Sequence, residues 1–275
     1  MKLRIIMADP AGNRTAIVRT PVPADQRAAI AAELLQIKEL RAEQAGFETS
    51  PLMGAAGRLE MMGGEFCGNA ARSYGYLLRK EKQSGDSSLP GTIEIEISGC
   101  PHPLEVFCDP SNECSYARMP MPVEIEYSPE GYPLVISEGI THMILEDTEI
   151  DEKMIRRLLD VYGDRWDAFG MMFLKEERLT PVVYVAAAGS LVYESSCGSG
   201  SLAAAWYLEK RKPEKESTGT VYSDSSPSKD GRPTSYCFQE PGGLIRVDIL
   251  RKKDGSTTGR MGGALSLEAE TEVEI

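Results

Sequence analysis

Histidine is nearly absent from this 275-residue chain, which has only His102 and His142, far apart in sequence. No two cysteines stand as Cys-x-x-Cys, so a tetrahedral zinc site is not expected and no metal ligand is assigned. With so few imidazoles, acid–base chemistry falls to cysteine, carboxylates, lysine or tyrosine. Long apolar runs are missing too, which excludes a membrane-spanning helix, and the opening Met1-Lys2-Leu3-Arg4-Ile5-Ile6 lacks a signal peptide's apolar region and cleavage site. That opening reads as a first strand, and the expected location is cytoplasmic. Positive charge is scarce: 30 Lys and Arg against 42 Asp and Glu give a formal charge of −12. Nucleic acid and anionic membrane are therefore not expected partners. Gly63-Gly64 is not followed by Gly-Lys-Ser/Thr, so it does not make a phosphate loop.

What remains is an ordinary globular composition, 41% hydrophobic and 26% charged, long enough for one large domain or two ordinary ones. Six cysteines, at 67, 100, 108, 114, 197 and 237, are expected as free thiols. Two of them lie in related settings. Glu65-Phe66-Cys67-Gly68-Asn69-Ala70-Ala71-Arg72 precedes a helix-forming run, Ala70 to Lys80. Ser195-Ser196-Cys197-Gly198-Ser199-Gly200-Ser201 precedes another, Leu202 to Arg211. A helix start collects unpaired N–H groups and about half a positive charge, which lowers a thiol pKa and can hold an anion. Two such elements, one in each half, point to a pair of thiols facing one substrate.

The order of elements repeats as well. Leu3 to Ala8 and Thr15 to Arg19 read as strands around Asp9-Pro10-Ala11-Gly12-Asn13, followed by a helix from Ala24 to Arg41. Glu43 to Glu48 leads into strands ending at Arg58 to Met62, then the first cysteine motif. After a polar loop, Ser84 to Gly91, come strands Thr92 to Ile97, Leu104 to Cys108 and Cys114 to Met119. The second half runs through strands near Val135 and Met143, a helix from Asp151 to Tyr162, and strands Met171 to Leu174, Val182 to Val185 and Leu191 to Glu194, to the second motif. A polar stretch, Ser223 to Thr234, reads as a loop; Leu244 to Leu250 is a strand, and Asp254-Gly255 a hairpin turn. The expected domains are 1–119, completed by a returning strand at about 264–275, and 120–263.

Cys67-Gly68-Asn69 and Cys197-Gly198-Ser199, with Pro10-Ala11-Gly12-Asn13 and Pro241-Gly242-Gly243, resemble the diaminopimelate epimerase family of cofactor-independent, two-cysteine racemases and epimerases. The resemblance covers nearly the whole chain. It implies an α/β (α+β) fold of two pseudo-symmetric domains, each a β-barrel-like sheet around a central helix. Gly64 to Ala70, Tyr193 to Gly200 and Gly170-Met171-Met172-Phe173 look most like the histidine racemases of opine-metallophore biosynthesis. Two departures separate the chain from the epimerases themselves. No arginine stands in Gly189 to Ser196, where they carry a Glu-Arg pair that holds a distal carboxylate, and no asparagine stands in Glu60 to Gly63.

The resemblance implies Cys67 and Cys197 as catalytic thiol and thiolate, exchanging roles with the direction of reaction. The helix-start backbones of Gly68, Asn69, Gly198 and Ser199 would then stabilise the substrate carboxylate and the charge that delocalises onto it. Neither a metal nor pyridoxal phosphate is required. Asn13 reads equally as a turn residue or a substrate contact, Glu43 as a surface charge or a substrate contact, and Glu194 as a site residue by its adjacency to the motif. Cys100, Cys108, Cys114 and Cys237 read as small buried hydrophobes. The implied activity is inversion of an amino-acid α-carbon, with histidine as substrate and a homodimer as the assembly. The alternatives are a diaminopimelate epimerase, a racemase of another amino acid and a non-catalytic amino-acid-binding protein.

Overall fold

The computed structural model describes residues 1–82, 90–186, 189–212, 233–252 and 254–275. The polar stretches Ser84–Gly91 and Ser223–Thr234 lie almost wholly outside them. The described chain forms two compact units, one of Met1–Arg118 with Gly262–Ile275 and one of Met119–Met261.

In the first unit, β1 (Lys2–Asp9) pairs antiparallel with β2 (Thr15–Val18), and α1 (Arg27–Gln36) carries the chain to β3 (Gln44–Thr49), parallel to β2. An antiparallel β4 (Arg58–Met61) leads into α2 (Gly68–Lys82). Beyond it, β5 (Gly91–Ile97) lies parallel to β4, with β6 (Leu104–Asp109) and β7 (Cys114–Met119) continuing antiparallel. Along this ribbon side chains alternate between faces. Leu3, Ile5 and Met7 of β1 pack with Ile30, Ala31 and Leu34 of α1, while Ile6 and Ala8 pack with Ala70, Ala71, Tyr74 and Leu77 of α2. Strands covered on both faces read as near-continuous apolar runs, which is what Ile5 to Ala8 is.

The second unit repeats the pairing. After β8 (Glu124–Tyr127), β9 (Pro133–Ser137) and β10 (Ile140–Glu146) pair antiparallel. Then α3 (Glu152–Tyr162) leads to β11 (Ala168–Lys175), parallel to β10. Next come β12 (Arg178–Val185), antiparallel to β11, and a short β13 (Ser190–Tyr193) hairpinned onto it. After α4 (Gly198–Arg211), β14 (Thr234–Glu240) touches β12 in parallel and β15 (Gly243–Arg251) returns antiparallel. The order antiparallel, parallel, antiparallel, parallel, antiparallel is that of β1 to β6. Met143, Leu145, Phe169, Met171 and Phe173 pack on Ile155, Leu158 and Tyr162 of α3, so their neighbours His142, Ile144, Gly170 and Met172 face the other way. There, β10 and β11 contact α4.

The Asp254-Gly255 turn joins β15 to β16 (Thr257–Ala264), with Asp254 Oδ1 accepting from Ser256 N–H. The tail then returns as β17 (Ser266–Leu267) and β18 (Thr271–Glu274), both antiparallel to β1. Leu265 N–H donates to Glu113 O beside β7, so the tail links the two ends of the first unit's ribbon.

Three expectations need correction. The first helix is a 3-10 turn at Ala24–Gln26 followed by an α-helix ending at Gln36, not a helix to Arg41. Leu40 reaches the same core from a tight turn, its carbonyl held by Arg14 Nε, and Arg41 takes the left-handed conformation. Helix α2 begins at Gly68, two residues before Ala70, and α4 at Gly198, four before Leu202. Glycine, serine and asparagine in those first turns weaken the propensity signal. Finally, only Cys108 is fully buried among the four cysteines read as core; Cys100, Cys114 and Cys237 are half-buried.

Candidate active site

Each of the two cysteines stands just before a helix, and each sulfur turns back onto that helix. Cys67 Sγ accepts from Ala70 N–H at 3.4 Å, and its carbonyl takes Ala71 N–H at 2.9 Å. Cys197 Sγ accepts from Gly200 N–H at 3.4 Å, and its carbonyl takes Ser201 N–H at 2.8 Å. A thiol thus occupies the N-cap place usually taken by Ser, Thr, Asp or Asn. The amides of Gly68, Asn69, Gly198 and Ser199 lie in the first turns, where geometry denies them intrahelical partners.

The two sulfurs have different surroundings. Cys67 is half-buried, with Asn13 Oδ1 an acceptor of its S–H at 3.9 Å and Gln44 Nε2 a donor 3.3 Å from its sulfur. That amide also reaches Asn13 Oδ1 at 2.7 Å and Thr15 Oγ1 at 2.8 Å, so two hydrogens serve three acceptors. Asn13 Nδ2 extends the network to Glu43 Oε2 at 3.4 Å. Asn13, Glu43 and Cys67, singled out separately in the sequence, are therefore one connected group through Gln44. The Asn69 side chain accepts from Arg72 Nε at 3.1 Å, so its carboxamide holds the helix interior. Arg72 is fully buried and also donates to the carbonyls of Gly263 and Ala264. Burial lowers its pKa to about 10, partly offset by Tyr116 and Cys67, so it is a cation at neutral pH whose field favours a Cys67 thiolate.

Cys197 is buried among acceptors. Burial raises its thiol well above the ordinary value, the charge of Glu194 raises it further, and Glu240 adds to this when it is ionised. Its S–H also bonds to Glu194, whose backbone is pinned to β12 through Pro181 O. At this position the expected lowering by a helix start is outweighed by desolvation and two acidic side chains. Ser199 acts the other way, its Oγ 3.5 Å from the sulfur and favouring the thiolate. Glu240 Oε2 accepts from Cys197 N–H at 2.6 Å, and its other oxygen is bonded to Ser201 Oγ. Burial holds that carboxyl at a pKa of about 8.

Gln44, His142 and Glu240 were missed as site residues. Gln44 and Glu240 had the signal of adjacency, to Glu43 and to Pro241-Gly242-Gly243. For His142 the signal was fainter, a glycine at the matching place on the next strand. A Cβ on Gly170 would stand 2.6 Å from His142 Cδ2. Among the described residues, no group of three His, Cys, Asp or Glu side chains could hold a metal ion, and no helix is long and apolar enough to cross a membrane.

Residues 2–273 match the family described as "Histidine racemase CntK N-terminal domain". A histidine racemase of Fusobacterium nucleatum subsp. nucleatum is 33% identical over 225 residues, 76% of this chain and 82% of the relative. The chain belongs to the histidine racemase family. Another relative, the histidine racemase of Staphylococcus aureus strain Mu50, is 27% identical over 212 residues, 70% of this chain and 75% of its own. Among solved structures, a phenazine biosynthesis protein of the PhzF family from Bacillus anthracis superposes with a TM-score of 0.68 over 100% of both chains at 14% identity. A probable proline racemase from Agrobacterium radiobacter K84 gives 0.63, covering 99% of this chain and 93% of its own at 10% identity. These likenesses show the fold, the mixed α/β architecture of diaminopimelate epimerase-like proteins.

Proposed function

We propose that the chain is a cofactor-independent histidine racemase in which Cys67 and Cys197 are base and acid. The observation that carries this reading is the repeated sulfur-capped helix start, with N–H donors on one thiol and carboxyl groups beside the other, in a chain related to histidine racemases. Cys67, among N–H donors and near the Arg72 charge, is the resting thiolate and removes the α-proton. Cys197, buried beside Glu194 and Glu240, is the resting thiol and delivers a proton to the opposite face; in the reverse direction the roles exchange. The first-turn amides of Gly68, Asn69, Gly198 and Ser199 take the α-carboxylate and the charge that develops on it. Asn13, Glu43 and Glu194 contact the rest of the substrate, where carboxylates suit an imidazole N–H and repel a second carboxylate.

We take the two compact units as the two domains of the sequence reading. A homodimer, a cytoplasmic location and a place in opine-metallophore synthesis rest on the family resemblance. The substrate is tested by α-proton exchange of histidine and diaminopimelate at equal concentration, with wild type and Glu194→Gln. Histidine should exchange much faster, and Glu194→Gln should slow it. Faster exchange of diaminopimelate would overturn the substrate and leave the two-cysteine chemistry standing.

A further inference from the structure

We propose that His142 is a positioning residue for Cys197, acting through Ser199: the imidazole holds the Ser199 hydroxyl so that its hydrogen points at the Cys197 sulfur. This rests on the two-cysteine reading, because it concerns the state that Cys197 must visit as a thiolate. The geometry is a short line of three groups from two elements. His142 Nε2 on β10 lies 3.3 Å from Ser199 Oγ, and Ser199 Oγ lies 3.5 Å from Cys197 Sγ at the start of α4.

A hydroxyl has one hydrogen, so which neighbour receives it depends on the tautomer of the ring. His142 is completely buried and its Nδ1 has no hydrogen-bond partner among the described residues. A proton on Nδ1 would leave an orphaned buried N–H, which is rarer than an under-used acceptor. The proton therefore sits on Nε2 and is donated to Ser199 Oγ. That leaves Ser199 free to donate its own hydrogen to Cys197. Burial lowers the His142 pKa to about 3, so the ring stays neutral through the working range and does not carry the transferred proton.

This device answers a specific need. Burial is the largest influence on Cys197, and Glu194 and, when ionised, Glu240 add to it, so every large influence opposes the thiolate. Ser199 is the side chain that favours it, together with Gly200 N–H. The packing around the ring is built to fit. A Cβ on Gly170, the partner of His142 across β10 and β11, would stand 2.6 Å from its Cδ2 and 3.2 Å from its Nε2. Along the same face, a Cβ on Gly200 would meet Met172 Sδ and stand 3.2 Å from Cys197 Sγ.

The test reads the thiol directly and needs no substrate. Alkylation of Cys197 and Cys67 by iodoacetamide is followed by peptide mass spectrometry across pH in the full chain. His142→Leu and Ser199→Ala should each raise the apparent Cys197 pKa by about one unit, slowing its alkylation about tenfold at fixed pH. Cys67 should be unchanged. The double variant should be no slower than either single one, and His142→Gln, which keeps an N–H donor, should recover most of the rate. A Cys197 profile unaltered by His142→Leu, or effects of the two substitutions that multiply, would overturn the proposal. If His142→Leu does not fold, Ser199→Ala decides alone: an unaltered Cys197 rate overturns it. Failure of the wild type to exchange the histidine α-proton would strike the substrate assignment instead, and leaves this readout intact.

Discussion

Glu240 Oε2 accepts the backbone N–H of Cys197 at 2.6 Å, so a buried carboxyl closes the first turn that presents the thiol. The same carboxyl is bonded to Ser201 Oγ. Because burial raises its pKa to about 8 from an ordinary 4.5, the folded state holds a proton there that the unfolded chain has lost. Its contribution is therefore fully present below about 4.5 and is lost as pH rises to about 8. Glu240→Gln, which mimics the protonated group, should gain stability relative to wild type across that window and then level off. Urea unfolding at about pH 5 and about pH 8 checks this. A stability difference that does not change between them would contradict the assignment.

His142 has the opposite sign. Burial depresses its pKa to about 3 from 6.5, so its contribution is present above 6.5 and is lost as pH falls toward 3. His142→Gln should lower stability near neutrality and lose less on acidification. The check is the gap between variant and wild-type unfolding midpoints as the solution is acidified. A gap that widens would contradict the buried, neutral ring.

Much of this was legible from the chain. The paired cysteine motifs, the strand Thr92 to Ile97 and the helix Asp151 to Tyr162 are read from local patterns. Each marks an element on the physics of one segment. The network around each sulfur was not legible, because its members come together only through strand register. Gln44 reaches Cys67 because β3 lies beside β2, with Gln44 opposite Thr15. His142 reaches Ser199 across 57 positions because alternation on β10 turns it toward α4. The thiol pKa of Cys197 was misjudged for the same reason. A helix start is visible in sequence, but the burial and the two acidic side chains that outweigh it are not.

Arg72 shows the cost of a buried cation whose partners are carbonyls. Arg72→Leu would leave Asn69 Oδ1 and the carbonyls of Gly263 and Ala264 without these donors, and with them the tie between α2 and the returning tail. We expect a loss on the order of 3 kcal/mol. Chemical denaturation measures it, and a change below about 0.5 kcal/mol would show that those carbonyls find other partners.

Gly170 is required for space. Gly170→Ala should destabilise by about 1–3 kcal/mol through crowding of the His142 ring. It should also slow Cys197 alkylation while sparing Cys67. Equal slowing of both thiols would point to general unfolding.

The central claim is that two cysteines invert the α-carbon of histidine, one on each face. It is tested most directly by incubating L-histidine in deuterium oxide with wild type, Cys67→Ala and Cys197→Ala, and following deuterium at the α-carbon of each enantiomer. The account predicts that D-histidine formed by the wild type carries solvent deuterium from the start, while unreacted L-histidine keeps its hydrogen. Each variant, folded as the wild type by circular dichroism, should racemise slower by roughly 10²–10⁴-fold. Wild-type rates in Cys197→Ala, or deuterium entering both enantiomers equally from the start, would contradict it.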